Sequence, residues 1–465
     1  MESSSDMVNQ SSVASASPVM MRDITEVLGR SRHIYIFVHC VTSVGEMPGI
    51  NLNDDESHRA LILAREQDIV VVPSPVEDGF IDYLSELGLE VNQERIVVAS
   101  EGSSPSPTAP LSELLLANHL ALEKIRSLTE RELVTLSPFI ASHKEWRLAM
   151  RLEQVLQRQV HLLGASPELV QSINLKHNSQ QKAIDFGVPV APGEVVHLRQ
   201  KANGKPSTLR PLEQAVRRHL NKTGRVLIRG SFGASGSSTF VIEGIEQIGK
   251  ALETISTRSD NAIYIVGPLL DLSSSPNVVM WIDPDDGEIS CVSATDQCLN
   301  PKLVFSGSVF PSTAKLLPEM IAAAHKLTEC LRDEHFCGPV GFDFGEYQDM
   351  ESREHKYFLS EINARTNGGM YAKVLLEKLN ARQQRRAHPP IAAFLSASIE
   401  TTPLSFTQLR KCCSHLLFDP SICRGVVPFN PGRLKDGKVT IACFGRDRND
   451  VEQLLKESQR ALLSR

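Results

Sequence analysis

The residues best suited to chemistry lie in one run. It extends from Gly338-Pro-Val-Gly-Phe-Asp-Phe-Gly through Tyr357-Phe-Leu-Ser-Glu-Ile-Asn-Ala-Arg-Thr-Asn-Gly-Gly. Its pattern predicts an apolar strand carrying Asp343, a polar turn from Gln348 to Lys356, and a second strand ending in Glu361, Asn363 and Arg365. The period of two puts Glu361 and Asn363 on one face. If the strands pair as a hairpin, Asp343 can face the same side. Two carboxylates and an amide oxygen then converge. Such hard oxygen donors suit Mg²⁺, which takes one or two carboxylates and completes its shell with waters and substrate phosphates. Arg365 stands where a bidentate donor can hold a phosphate or a carboxylate. The alternative is a half-exposed hairpin whose acids and amide face solvent.

Two further stretches could meet an anion. Lys176 stands at the entry of a helix expected over about 178–186 and stopped by Gly187; such a lysine is a surface charge or a phosphate ligand. Gly224-Arg-Val-Leu-Ile-Arg-Gly-Ser-Phe-Gly-Ala-Ser-Gly-Ser-Ser-Thr-Phe-Val-Ile predicts strand, small-residue loop (Gly230–Ser238), strand. Glycine and serine in such a loop let backbone N–H groups approach phosphate oxygens. It is not a GxxxxGK[ST] loop, and a strand follows it.

The elements that must position these groups belong to an ordinary soluble globular composition: 465 residues, 41% hydrophobic and 22% charged. That length allows two or three domains. The net charge of −6, with no basic block interleaved with aromatics, argues against a nucleic-acid surface. Gln383-Gln-Arg-Arg is the densest basic spot and reads as a solvated loop. Nine cysteines without CxxC or metal-ligand spacing point to a reducing compartment, hence the cytoplasm. No apolar stretch approaches the roughly 20 residues that span a bilayer. Met1–Met21 is Ser-rich, unlike a signal peptide, and reads as a disordered tail.

Along the chain, apolar runs at Ile34–His39, Asp68–Pro73 and Ile96–Ser100, with a helix ended by Gly88, predict a small parallel α/β unit. It carries no GxGxxG after its first strand. Ser100–Pro110 reads as a loop, and Leu111–Arg126, Thr129–Leu136 and His143–Arg158 as helices with Trp146, Leu148, Met150 and Leu152 in the core. Gly164 and Pro167 break the pattern. Ala262–Asp271 predicts a strand turning at Gly267-Pro268, and Ser275–Thr295 a hairpin with its turn at Pro284–Gly287. A helix follows over Pro311–Glu334. Beyond Ala372 come a helix, a break at His388-Pro-Pro, another helix, then Gly425-Val-Val-Pro-Phe, a strand at Lys438–Phe444 and a last helix at Asn449–Leu463.

Taken in order, these pieces resemble the ATP-grasp superfamily. Lys176 precedes Gly187-Val-Pro as the first phosphate lysine of biotin-carboxylase-type members does, and Val-Leu-Ile-Arg229 stands where an apolar strand ends in the second. Gly-Phe-Asp343-Phe and Glu361-Ile-Asn363-Ala-Arg365 match the metal acids, the asparagine and the catalytic arginine. Within that superfamily the chain looks most like the pheganomycin-type peptide ligases. Leu111-Ser-Glu-Leu-Leu-Leu through Lys124-Ile-Arg, Phe139-Ile-Ala-Ser, Ser275-Pro-Asn-Val-Val, Ala294-Thr-Asp-Gln, Gly307-Ser-Val-Phe-Pro, Gly425-Val-Val and Gly437-Lys-Val-Thr-Ile carry that likeness. It departs from the family pattern at Arg229, usually lysine, at Gln180, commonly arginine, and over Thr366-Asn-Gly-Gly-Met-Tyr.

The resemblance implies mixed α/β and α+β architecture: a Rossmann-like pre-ATP-grasp domain followed by a two-lobed ATP-grasp fold. The expected division is a tail over 1–28, a pre-ATP-grasp domain over 29–170, an N-terminal lobe over 171–270 and a C-terminal lobe over 271–465. It implies that Lys176 and Arg229 bind ATP phosphates, with Gly233, Ser235, Gly236 and Ser237 in a lid. It implies that the backbone from Val266 to Leu269 meets the adenine and Asp271 the ribose. Asp343, Glu361 and Asn363 would hold Mg²⁺ (or Mn²⁺), and Arg365 would orient the substrate. The implied activity is ligation of a small-molecule or peptide carboxylate to an amine through an acylphosphate. The implied setting is the cytoplasm, with a homodimer as one option and no nucleic-acid or membrane partner. The alternatives are a catalytically silent ATP-binding homologue, and a carboxylase or kinase using the same cleft.

Overall fold

The structure is a computed structural model that describes residues 19–44, 54–89, 91–101, 109–199, 206–232, 238–257, 262–301 and 303–463. Its first layer is a parallel sheet of β1 (Ile34–Val38), β2 (Ile69–Val72), β3 (Ile96–Val98), β4 (Val134–Pro138) and β5 (Val160–Leu162), in the order β3-β2-β1-β4-β5. Every residue of β1 and β2 is buried, which is why these strands read as unbroken apolar runs. The helix expected over Thr129–Leu136 is instead the approach to β4. Val134-Thr-Leu-Ser is a short buried run whose periodicity does not separate strand from helix, and pairing with β1 along its whole length decides it.

Leu111–Arg126 divides into helices Leu111–Ala117 and His119–Leu128. Asn118 caps the second and donates from Nδ2 to Ala99 O at 2.9 Å. Helix His143–Leu156 buries Leu148 and Leu152, but Trp146 and Met150 are exposed, because one face alone meets the sheet. Ser166 caps a helix that Pro167 opens, Pro167–Asn174, so that proline starts an element.

The expected tail is packed from Val19 onward: the Arg22 N–H donates to Cys291 O at 3.1 Å, and helix Ile24–Arg30 buries Ile24, Val27 and Leu28. The N–H groups that open this helix, of Ile24 and Thr25, donate to the buried Glu377 carboxylate at 3.1 and 2.9 Å. Residues 1–18 lie outside the described ones.

The second layer is a four-stranded antiparallel sheet of β6 (Glu194–His197), β7 (Val226–Gly230), β8 (Thr239–Ile242) and β9 (Ile263–Pro268), ordered β6-β9-β7-β8. It shares a core with helices Arg210–Thr223 and Glu246–Thr257.

The third is a nine-stranded sheet built from β10 (Leu272–Ser274), β11 (Pro276–Ile282), β12 (Ile289–Leu299), β13 (Phe305–Phe310), β14 (Gly338–Gln348), β15 (His355–Asn363), β16 (Ala393–Glu400), β17 (Gly425–Asn430) and β18 (Lys438–Gly445). Two elements differ from expectation here. The helix after β13 begins at Leu317 rather than Pro311, and β16 lies between the two expected helices, paired to β13 and β18.

Candidate active site

The predicted hairpin forms. β14 and β15 are antiparallel, with Asp343 opposite Glu361 and Gly341 opposite Asn363. The register steps between Asp343 and Phe344, whose partners are Glu361 and Leu359, so Ser360 is an extra residue in a β-bulge. The bulge resets the alternation of sides, and Phe358, Ser360, Glu361 and Asn363 all line one cleft. Gly341 is required at its place: a Cβ there would meet the Asn367 amide at 2.3 Å.

Around this hairpin each polar group is answered by another. Asp343 accepts from Asn277 Nδ2 on Oδ1 at 2.6 Å and from Asn363 Nδ2 on Oδ2 at 2.8 Å. Asn363 Oδ1 accepts from Arg365 Nη2 at 2.6 Å. Lys176 Nζ reaches Glu361 Oε2 at 2.8 Å. Arg229 Nη1 donates to Ser360 Oγ at 2.6 Å.

Lys176 arrives there because it is the first residue of helix Lys176–Asp185, which packs on β15. Ser179 Oγ accepts from the Ile362 N–H at 3.2 Å, and the chain beyond the helix bonds β15 through Leu359 N–H to Pro189 O at 2.7 Å. The helix thus starts two residues earlier than the spacing suggested.

Charge is concentrated by burial. Asp343 is pushed up to about 7, first by loss of solvent and then by the Glu361 carboxylate beside it. Burial works most strongly to raise Glu361, but the Lys176 ammonium, Asp343 and Arg365 together outweigh it and hold this carboxyl well below its usual range. Arg229 and Arg365 are lowered by burial, and Glu361 draws both back.

Among the described residues no group of three or more His, Cys, Asp or Glu side chains converges as a metal site. Two carboxylates and an amide oxygen are nevertheless what Mg²⁺ asks of a protein that leaves its other positions to water and phosphate. The donor set fits that ion.

The cleft encloses about 450 Å³ and runs between the three layers. At the second-layer end its lining includes Leu227, Arg229, Thr239 and Pro268; at the first-layer end, the far one, it includes Val41, Glu56, Arg59 and Phe139. The structure thus brings Lys176, Arg229, Leu269, Asp343, Glu361, Asn363 and Arg365 together.

Two expected residues lie elsewhere. Val266 is a fully buried core residue of the central strand β9, hydrogen-bonded on both sides. Asp271 has its side chain 88% exposed and paired with Arg225 at 2.7 Å, outside the cleft lining. Gly233, Ser235, Gly236 and Ser237 lie outside the described residues. The hairpin they span is closed by Gly230 N–H to Ser238 O at 2.8 Å.

Sequence reasoning missed Asn277, Glu56 and Arg59 as site residues. Asn277 sits in the quoted Ser275-Pro-Asn run, but only the pairing of β11 with β14 sets it opposite Asp343.

Residues 57–154 match the family described as the Pre ATP-grasp domain. Among solved structures, the chain is similar to N5-carboxyaminoimidazole ribonucleotide synthetase in an ADP complex, at 11% identity and TM-score 0.54, covering 92% of this chain and 96% of that one. It is similar to the Thermus thermophilus enzyme of the same name at 13% identity and TM-score 0.51, covering 93% and 99%. It is also similar to the biotin carboxylase of Campylobacter jejuni in its β-γ-ATP complex, at 13% identity and TM-score 0.53, covering 92% and 91%. No curated protein sequence matches the chain. With a matched pre-ATP-grasp segment ahead of two lobes that enclose the hairpin cleft, the chain has the ATP-grasp fold.

Proposed function

We propose that the chain is an ATP-dependent ligase that joins a carboxylate to an amine through an acylphosphate, giving an amide, ADP and phosphate. The observation that carries this reading is the convergence of Asp343, Glu361 and Asn363 with Lys176, Arg229 and Arg365 in one cleft. The ADP and β-γ-ATP complexes of the similar structures support ATP as the nucleotide.

Lys176 and Arg229 neutralise phosphate oxygens, and Leu269 lies against the nucleotide. Asp343, Glu361 and Asn363 would hold Mg²⁺ (or Mn²⁺), which would supply positive charge to phosphate oxygens. Arg365 orients the acid and stabilises the phosphoryl group as it moves. Positioning and electrostatics do most of the chemistry. The resemblance to pheganomycin-type ligases supports small-molecule or peptide substrates and a homodimer. Nine cysteines without metal-ligand spacing support a cytoplasmic setting, and among the described residues no helix is long and apolar enough to cross a membrane.

The test is ADP release from Mg·ATP across pooled amino acids, small peptides and carboxylic acids. Release that needs one acid plus one amine supports the ligase and names both substrates; release with no amine requirement overturns it. A second reading, a silent nucleotide-binding homologue, is favoured by one observation: the hairpin's polar groups already satisfy one another. Mg·ATP binding without turnover in any pool would establish it.

A further inference from the structure

The far end of the cleft carries a cation that the reaction above does not use. Arg59 comes from the 3-10 helix Asp54–Ile62, in the first layer, and crosses to the third. Its guanidinium lies 4.6 Å from the ring centre of Tyr371 and 5.1 Å from that of Phe139. Arg365 approaches the same Phe139 ring, at 5.8 Å. The backbone ties this corner together: Phe139 O accepts from the Thr366 N–H at 3.0 Å, one residue beyond Arg365. Tyr371 Oη is fixed at 2.6 Å from Nδ1 of the buried His39. Two guanidiniums from different layers are thus held against one ring.

Arg59 hydrogen-bonds the Tyr371 side chain, yet one N–H of each guanidinium is left over. The Nε of Arg59 and the Nε of Arg365 are both buried with no hydrogen-bond partner. The carboxylate facing Arg59 is Glu56, whose Oε2 is 3.3 Å from Nη1, longer than a good charge-assisted bond, while its Oε1 faces Arg433 at 3.6 Å. Arg365 spends Nη2 on the Asn363 amide and feels Glu361 and Asp343 from its other side. Burying a charged donor without an acceptor is costly, and so is placing two like charges on one ring. An anion held by the terminal N–H groups of both guanidiniums offsets the repulsion between them. A planar, two-oxygen anion suits guanidinium geometry best. The cleft lining also offers apolar and aromatic surface, Val41, Phe139, Phe305 and Phe429 among it.

We propose that Arg59 and Arg365 form a carboxylate seat at the far end of the cleft, and that its ligand is a carboxylic acid with an apolar or aromatic body. This rests on the ligase reading and deepens it. Arg59 is then the residue by which the first layer selects the acid, while Lys176 and Arg229 serve the nucleotide.

The experiment is calorimetric titration of the full chain, saturated with Mg·ADP, with N-acetyl-phenylalanine and with its carboxamide. The comparison covers the native chain, Arg59→Gln and Arg59→Lys. The native chain is expected to prefer the acid by about ten- to a hundredfold, the scale of a charge-assisted hydrogen bond. Arg59→Gln abolishes that preference with Mg·ADP affinity unchanged, which also shows that the variant is folded. Arg59→Lys keeps part of the preference. Equal binding of acid and amide by the native chain, no binding of the acid, or a preference that survives Arg59→Gln overturns the proposal. The preference is an equilibrium quantity, so it stands or falls separately from turnover. A chain that binds the acid through Arg59 yet releases no ADP in any pool would sink the ligase and leave the seat.

Discussion

At the hairpin end of the cleft, Asp343 has an amide on each oxygen and Glu361 has Lys176, so each carboxylate is answered within the chain. At the opposite end, Arg59 and Arg365 keep buried Nε groups without acceptors. Both ends are buried and charged. The first is closed by hydrogen bonds between strands already paired, and in the second the guanidiniums stack on aromatic rings, with the Tyr371 side chain also hydrogen-bonded to Arg59. A network that satisfies itself can be stable without a ligand. A pair of cations over one ring gains most from an anion.

Arg365 belongs to both ends, so removing it tests the comparison hardest. Arg365→Ala is expected to lower kcat by about 10²–10³-fold, the scale of losing one transition-state donor, with a smaller change in ATP affinity. A loss confined to ATP affinity, read from initial rates against ATP concentration, would make it a ground-state binder. Glu361→Gln acts at the hairpin end alone. It should cost about a hundredfold or more in turnover with circular dichroism unchanged, and native-like turnover would remove the metal assignment.

The far end has its own pH signature through His39, which supports Tyr371. Burial lowers the His39 pKa from 6.5 to about 3. Between those values the unfolded chain binds a proton that the native chain does not, so stability is full above about pH 6.5 and falls as pH drops toward 3. The expected slope is about 1.4 kcal/mol per pH unit at most. Denaturant melts from pH 7 to 4.5 should show it, and a His39→Gln variant with the same slope would count against this source. The smallest effect belongs to Gly341→Ala, where the added Cβ presses on the Asn367 amide. It should destabilise by about 1–3 kcal/mol, measured as a shift in denaturation midpoint; no shift would mean that Asn367 moves freely.

The sequence misread elements where its local pattern was ambiguous. Val134–Pro138 is short and apolar enough for either helix or strand, and β1 chose for it. Ala393–Glu400 went unnoticed as a strand because its small residues, Ser396, Ala397 and Ser398, carry little strand preference; its place between β13 and β18 makes it one. Trp146 and Met150 were expected in the core from their apolarity, although the faces of the helix are decided by what packs on Leu148 and Leu152.

By itself the sequence determined the hairpin. Its two strands are joined by a short polar turn, so a period of two puts Glu361 and Asn363 on one face, which Asp343 joins once the strands pair. It also determined the charged residues that face them, as types in order along the chain. Tertiary structure alone decided the rest: the bulge at Ser360, the amide of Asn277 on Asp343, the burial of Val266, the departure of Asp271 and the arrival of Arg59 beside Arg365. Each depends on segments far apart in the chain meeting at set distances. A local pattern records which residues a strand or helix offers, while non-local packing determines which of them are brought to the same cleft.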